Sequence, residues 1–136
     1  MRAVDRDLLS LARGQASDTT VRRLCAYAKE ERELAVRVAR GLVTALDLGV
    51  PVDTIRLLCV EISGVAVLAA QAGNTKAGID LLLNLHDEQF RSKAVERAVL
   101  VAGVTICRLG KNEDTLRFGF RFVADGSSCV PHHAKR

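Results

Sequence analysis

The sequence predicts an all-α protein, built as a compact bundle or short stack of about six helices. Apolar side chains recur at helical spacing through most of the chain, and glycines with short polar links separate the periodic segments. With two prolines and 26% charged residues, the composition is typical of a globular, helix-forming chain. We expect residues 1–124 to form one domain and residues 125–136 to be a flexible basic tail.

The most apolar stretch, residues 55–73, predicts a buried central helix. Between Arg56 and Gly73 its one charge is Glu61, and its apolar side chains cover nearly the whole circumference of a helix. Asp53 is a suitable N-cap, and Gly73 is a suitable stop. The run is shorter than the ~20 residues that a bilayer requires and it contains a carboxylate, so we expect a soluble helix and no membrane partner.

Two helices are predicted before this stretch. Residues 2–13 form a short amphipathic helix that ends at Gly14, and residues 19–48 form the longest helix, with Glu31 at the centre of its apolar stripe. We interpret Glu31 as a rim residue or a partner of an arginine rather than as a catalytic group. At 1.5 Å per residue the long helix would span ~45 Å, more than the width of such a domain. A break near Gly41 is the alternative that buries the stripe in one monomer.

Residues 76–87 and 88–109 predict the next two helices. Residues 115–123 are ambiguous, because their apolar side chains alternate as in a strand while two of them also share a helical face. These apolar residues are Leu116, Phe118, Phe120 and Phe122. A strand here would pair with residues 99–106, which gives an α+β alternative with a C-terminal hairpin within residues 99–124. We favour helix for both segments.

Similar sequences recur where the predicted helices begin. Three junctions share a glycine stop, a short polar link with aspartate, then threonine, an aliphatic residue and arginine, and a fourth keeps only the apolar spacing. The aligned positions are Thr20, Thr54, Gly78 and Thr115. Their uneven separation indicates irregular, stacked helical hairpins. Ordinary stop and cap chemistry, reused along an all-helical chain, is the alternative interpretation.

Three of these junctions place an arginine in the first turn of a helix, where the helix dipole disfavours a cation. Local pairing with an aspartate three or four residues earlier is the simplest compensation. The pairs at this spacing are Asp18 with Arg22, Asp53 with Arg56, and Asp114 with Arg117. The alternative is that each arginine, together with free backbone N–H groups, binds a phosphate or a partner's carboxylate.

Charge is distributed unevenly along the chain, whose net charge is +4. Residues 1–40 hold nine basic and six acidic side chains, residues 41–90 hold two and six, and residues 91–136 hold nine and four. An acidic centre therefore lies between two basic ends. Such polarity favours attraction to nucleic acid or head-to-tail association of copies.

The four cysteines, Cys25, Cys59, Cys107 and Cys129, show no CxxC spacing. Three of them lie in apolar helical contexts, where a reduced cysteine is an ordinary small core residue. The N-terminus mixes charged and apolar residues and does not resemble a secretory signal. We therefore expect an intracellular protein without disulfides, located in the cytoplasm or, alternatively, the nucleus.

No catalytic constellation is recognised, so we expect a non-enzymatic protein without cofactor or metal. His86 and Asp87 form a doublet seen in metal-dependent phosphohydrolases, but no upstream histidine completes such a site. Cys129, His132 and His133 lack a second pair of zinc ligands. A magnesium cluster could be drawn from a larger acidic set, although acidic helix surfaces are common. That set is Glu30, Glu31, Glu33, Asp87 and Glu88.

Two functions remain. The first is a helical protein-interaction module that forms a homo-oligomer or docks on another protein, because the helices carry more apolar surface than a small domain covers. Glu31 and Glu61 would then be interface or buried polar residues. The alternative is RNA binding through basic helix surfaces. Its candidate contacts are Arg22, Lys29, Arg37, Arg40, Arg56, Arg117 and Arg121.

Overall fold

The computed structural model describes residues 2–109, which form six α-helices and one 3₁₀ turn. The elements are α1 (Ala3–Ala12), α2 (Asp18–Glu30), α3 (Arg32–Leu48), α4 (Val52–Gln71), α5 (Thr75–Leu85), the 3₁₀ turn (Glu88–Phe90) and α6 (Lys93–Leu109). No strand occurs within this range. The prediction of an all-α bundle of six helices is confirmed.

Glycines end the helices in the way that the sequence indicates. Gly49 after α3 and Gly73 near the end of α4 have φ of 100° and 99°, a left-handed conformation that glycine adopts without steric cost. The next residue in each case donates its N–H to a carbonyl five residues earlier, Val50 to Ala45 and Asn74 to Ala69. These bonds satisfy carbonyls that the helix end would otherwise leave without a donor.

The prediction of one long helix over residues 19–48 is wrong. Glu31, with φ −127° and ψ 104°, separates α2 from α3, whereas Gly41 lies within α3. Both helices contact each other and both contact α4. A straight helix of ~45 Å could not lay both halves against the 20 residues of α4, which span ~30 Å. Packing of the apolar faces on α4 therefore explains the break, in a segment without glycine or proline.

Helix α4 lies at the centre of the bundle, as predicted for its apolar sequence. It contacts α2, α3, α5, α6 and the 3₁₀ turn. Its largest fully buried side chains include Ile55, Leu58 and Ile62. Leu58 departs from helical geometry, with φ −108° and ψ 15°, so α4 is kinked one to two turns after its start.

Two boundaries in the last third of the chain differ from the prediction. The helix expected over residues 88–109 is interrupted after the 3₁₀ turn, and α6 begins at Lys93, where the Ser92 hydroxyl accepts a hydrogen bond from the N–H of Val95. Residues 99–106 lie inside α6, so the alternative hairpin is wrong in its first strand. Its second strand, at residues 115–123, and the expected tail, at residues 125–136, lie outside the described residues.

Three ion pairs join α1 to the helices that follow it. Asp7 receives two hydrogen bonds of 2.9 Å from the Arg23 guanidinium, Asp5 pairs with Arg37 at 2.8 Å, and Arg2 pairs with Glu31 at 2.7 Å. Besides these ion pairs, the buried side chains of Val4 and Leu11 hold α1 against α2 and α3. Because the Arg2–Glu31 pair is exposed, it contributes little to stability, whereas the Asp7 carboxylate is nearly buried.

Candidate protein-interaction surface

One face of α4 remains apolar and exposed although the rest of the helix is core. Within residues 2–109 the exposed large apolar side chains are Leu9, Leu48, Leu57, Val60, Val101 and Leu109. Leu57 and Val60 are among the most exposed of these, at 59% and 69%, and they lie one turn apart on the same helix. No two of the other four lie within two turns of each other on one helix. The two α4 residues therefore form the best candidate for an apolar contact surface.

Helical periodicity extends this surface along α4. Gly64 and Leu68 follow Leu57 and Val60 at intervals of four residues, so the four positions share one side of the helix. Leu68 is partly buried against the core, and a β-carbon on Gly64 would meet no atom within 4 Å. We call these four residues, Leu57, Val60, Gly64 and Leu68, the outer face of α4. It is a ridge with a small residue in the middle, where another chain could approach the backbone closely.

The opposite side of α4 is fixed by buried contacts. Ile62, Val65, Ala66 and Ala69 are each no more than 1% exposed. The buried hydroxyl of Thr54 donates a hydrogen bond to the Asp18 carboxylate of α2. With its inner sides locked in this way, α4 presents the outer face as a rigid surface rather than as a mobile loop.

Acidic side chains border the outer face. Glu61 is half-buried, and its carboxylate lies 4.0 Å from the Arg22 guanidinium of α2. Asp53, at the start of α4, is exposed and has no ion-pair partner within the part of the chain that the structure describes. Glu61 therefore lies at the rim of an apolar surface with a cationic partner. Glu31 lies elsewhere, at the α2–α3 break beside Arg2.

The basic residues predicted to contact RNA do not form one free surface. Arg22 reaches Glu61 rather than Asp18, and Arg37 pairs with Asp5. Arg56 donates a hydrogen bond of 3.1 Å to the backbone carbonyl of Arg91, so the predicted pairing with Asp53 is not found. Lys29 and Arg40 have no acidic partner among residues 2–109. The remaining candidates, Arg117 and Arg121, lie outside the described residues, as does the pair of Asp114 with Arg117.

A shallow cleft of ≈ 320 Å³ lies between α3 and the start of α5. Arg40 and Lys76 line it, but Lys76 is paired with Asp80 at 3.2 Å and the Asn74 side chain already accepts the N–H of Ala77. One unpaired arginine in an open cleft does not define a binding site. Between residues 2 and 109, no group of three His, Cys, Asp or Glu residues could hold a metal ion. This finding covers all five residues of the candidate magnesium cluster.

The three described cysteines are free thiols. Burial raises the pKa of Cys25 to about 12, with a further contribution from the Glu61 carboxylate. Burial also raises the pKa of Cys59 and of Cys107. Because a thiol must ionise to act as a nucleophile, these environments suit core packing and not catalysis. Cys129, His132 and His133 lie outside the described residues.

Sequence reasoning located α4 but missed its outer face. Of the small residues in this stretch that could permit close helix approach, Ser63 and Ala66 are buried, whereas Gly64 is partly exposed. A signal was present, since Leu57 precedes Glu61 by one helical turn and Gly64 follows it by nearly one turn. The single carboxylate therefore marks the side of the helix that reaches solvent.

The fold and this surface define a class of protein, a small helical bundle with an exposed apolar helix face. Comparison with known proteins finds no matching family model, no matching curated protein and no matching solved structure. Among residues 2–109, no helix is both long and apolar enough to cross a membrane.

Proposed function

We propose that this protein is a non-enzymatic helical interaction module that self-associates through the outer face of α4. The observation that carries the proposal is the adjacent exposure of Leu57 and Val60 on the helix that otherwise forms the centre of the core. Neighbouring apolar side chains on a rigid helix are typical of an interaction surface, whereas exposed apolar residues that stand singly are ordinary.

The arrangement of the outer face suits a second copy of the same chain. A two-fold related α4 would bring the same apolar residues together from both sides, and Gly64 would let the two helix backbones approach closely. The rim supplies polar contacts, because Arg22 and Glu61 would lie at the edge of such an interface. An interface with an apolar centre and a charged rim is the usual arrangement between proteins.

The size of the face indicates weak, concentration-dependent association. Burial of the exposed parts of Leu57 and Val60 from two copies would contribute about 4–8 kcal/mol. The loss of translational and rotational freedom costs a similar or larger amount, on the order of 4–15 kcal/mol. The premise of a ~45 Å apolar helix no longer applies, since that helix is divided at Glu31. We therefore expect a reversible dimer and not a permanent one.

RNA binding is the alternative proposal. Lys29, Arg40 and Arg56 are the described candidates without an acidic partner, but they lie on three different helices, and Arg56 already donates to the carbonyl of Arg91. The ion pairs of Arg22 and Arg37 reduce the positive potential of this surface further. Titration of labelled RNA at several salt concentrations tests this proposal. Tight binding that weakens steeply with salt would favour RNA over self-association.

Sedimentation equilibrium of the full chain from micromolar to millimolar concentration tests self-association. The expected result is a mass that rises from 14.7 kDa toward twice that value and does not fall back in high salt. A mass of 14.7 kDa at every concentration, for the wild type and for the variant described below that lacks three phenylalanines, would contradict the proposal.

A further inference from the structure

The sequence after α6 contains an apolar segment, residues 115–123, whose alternative strand partner is helical. Residues 115–123 hold three of the four phenylalanines of the chain, together with Leu116 and Val123. A hairpin with residues 99–106 would have covered these side chains, but residues 99–106 lie inside α6. Residues 99–106 therefore cannot cover residues 115–123 as a paired strand, and burial of these apolar side chains would need another surface.

The outer face of α4 lies within reach of this segment. Arg56 contacts the carbonyl of Arg91, so the start of α4 lies beside the residues that precede α6. At the other end, a β-carbon on Gly78 would touch both the carbonyl of Ala66 and the side chain of Ile106, so the later parts of α4 and α6 meet at the same point of α5. The two helices therefore run in the same direction. Leu109, the last residue of α6, lies toward the C-terminal end of α4.

The lengths of chain agree with a return along α4. Residues 110–114 can span up to ~17 Å. The outer face from Leu68 back to Leu57 is ~16 Å long. Residues 115–123 cover ~13 Å as a helix and ~30 Å when extended, so either conformation can follow the face. An attached segment has an effective concentration on the order of millimolar, which favours it over a second copy in dilute solution.

Charge supports the same placement. Asp53 and Glu61 lie along the rim of the outer face, at either side of Leu57 in the sequence. Arg117 and Arg121 are interleaved with the apolar residues of the segment. Apolar side chains on the face would thus be accompanied by arginines near carboxylates, so that the segment and the face are complementary in charge.

We propose that residues 115–123 of the same chain pack on the outer face of α4 and compete there with a second copy. This inference rests on the proposed function for the identity of the face, and it adds a regulation to it. Self-association then requires displacement of the chain's own segment. Any change that removes the segment from the face strengthens self-association.

A photo-crosslinking amino acid in the full chain tests the contact directly. Val60 is replaced by p-benzoylphenylalanine, which inserts into C–H bonds within a few ångström on irradiation. The expected product in dilute solution has the mass of one chain, with the crosslink mapped to residues 115–123. Its yield should not depend on protein concentration, because the reaction is intramolecular.

The matched control carries the same probe at Leu48, an exposed leucine at the end of α3. This position should give no crosslink to residues 115–123. Equal crosslinking from both positions would overturn the proposal, since the segment would then contact the surface without preference. Crosslinks found only in products of twice the chain mass would also overturn it, because the occupant of the face would then be a second copy.

Replacement of the three phenylalanines by serine, F118S/F120S/F122S, separates this inference from the proposed function. We expect loss of the intramolecular crosslink and a dimer constant tighter by about tenfold or more in sedimentation. If the substituted protein associates more tightly but the wild type gave no intramolecular crosslink, the intramolecular contact is refuted and self-association remains supported. A wild-type crosslink in a chain that never dimerises, with or without the phenylalanines, would refute self-association and leave the contact supported.

Discussion

Gly78 of α5 packs directly against the backbone carbonyl oxygen of Ala66 in α4. A β-carbon at residue 78 would overlap that oxygen and would lie 3.3 Å from the side chain of Ile106. Neither helix backbone can shift without disturbing the other contacts of α4, which touches most elements of the bundle. The absence of a side chain at Gly78 therefore sets the spacing between α4 and α5.

The first prediction concerns this contact. Gly78→Ala should destabilise the protein by about 1–3 kcal/mol or more, because the new methyl group must push two packed helices apart. Gly64→Ala is the matched control, since Gly64 is also helical but has open space around its α-carbon. It should stabilise the monomer by about 0.5–1 kcal/mol through helix propensity. Chemical denaturation measures both, and equal effects of the two substitutions would contradict the packing described for Gly78.

The second prediction compares two buried hydroxyls of α4. Thr54 donates a hydrogen bond to the Asp18 carboxylate, whereas the Ser63 hydroxyl is buried without a partner in the described part of the chain. Thr54→Val should cost about 1.5–3 kcal/mol, because it removes a bond to a charged group. Ser63→Ala should be neutral or stabilise by about 1 kcal/mol, because it removes an unsatisfied buried group. A large loss of thermal stability in Ser63→Ala would show that this hydroxyl has a partner.

The third prediction concerns pH. The hydrogen bonds from Arg23, opposed by partial burial, lower the pKa of Asp7. A carboxyl with a lowered pKa in the folded state contributes stability above its unfolded pKa of about 4 and loses that contribution as the pH falls through its folded pKa. Asp7→Asn should therefore be less stable than the wild type at neutral pH, and the difference should shrink below about pH 4. Denaturation midpoints measured across this range give the result.

Asp47→Asn is the control for that measurement, because Asp47 is exposed and has no ion-pair partner among residues 2–109. The loss of stability expected for Asp7→Asn at neutral pH should be absent in Asp47→Asn. If Asp7→Asn also followed the wild type, the pair of Asp7 with Arg23 would have no role in holding α1 on the bundle.

The fourth prediction concerns thiol reactivity. Cys25 has a pKa of about 12 instead of 9.0, so its thiolate fraction near neutral pH should be lower by about a thousandfold than in the unfolded chain. Alkylation of native protein by iodoacetamide should leave Cys25 unmodified under conditions that modify all cysteines in denaturant. Mass mapping of the alkylated peptides checks this. Modification of Cys25 at the unfolded rate would mean that α2 and α4 separate readily.

Local rules account for what the sequence predicted well. Gly49 and Gly73 mark helix ends because their left-handed φ angles exclude most other residues. The long apolar run identified α4 because a helix that is apolar on nearly all sides packs against several others. Such features depend on neighbours in the chain and are visible in one sequence.

Tertiary packing accounts for what the sequence did not show. Nothing around Glu31 stops a helix locally, and α2 and α3 separate there because both must cover α4. The outer face was missed for a related reason. An apolar run appears buried on all sides until the positions of its neighbours are known, and only Glu61 indicated which side of α4 is left uncovered.

The substitution Val60→Glu tests most directly whether the outer face of α4 is the interaction surface. Val60 is 69% exposed, so a carboxylate there should leave the fold intact while it opposes burial against a second copy. Leu48→Glu, at a leucine that is 54% exposed on α3, is the control. Sedimentation equilibrium is measured for both substitutions in the wild-type chain and in F118S/F120S/F122S. We expect a mass of 14.7 kDa at all concentrations with Val60→Glu, and unchanged dimerisation with Leu48→Glu. Dimerisation that persists in Val60→Glu would contradict this expectation.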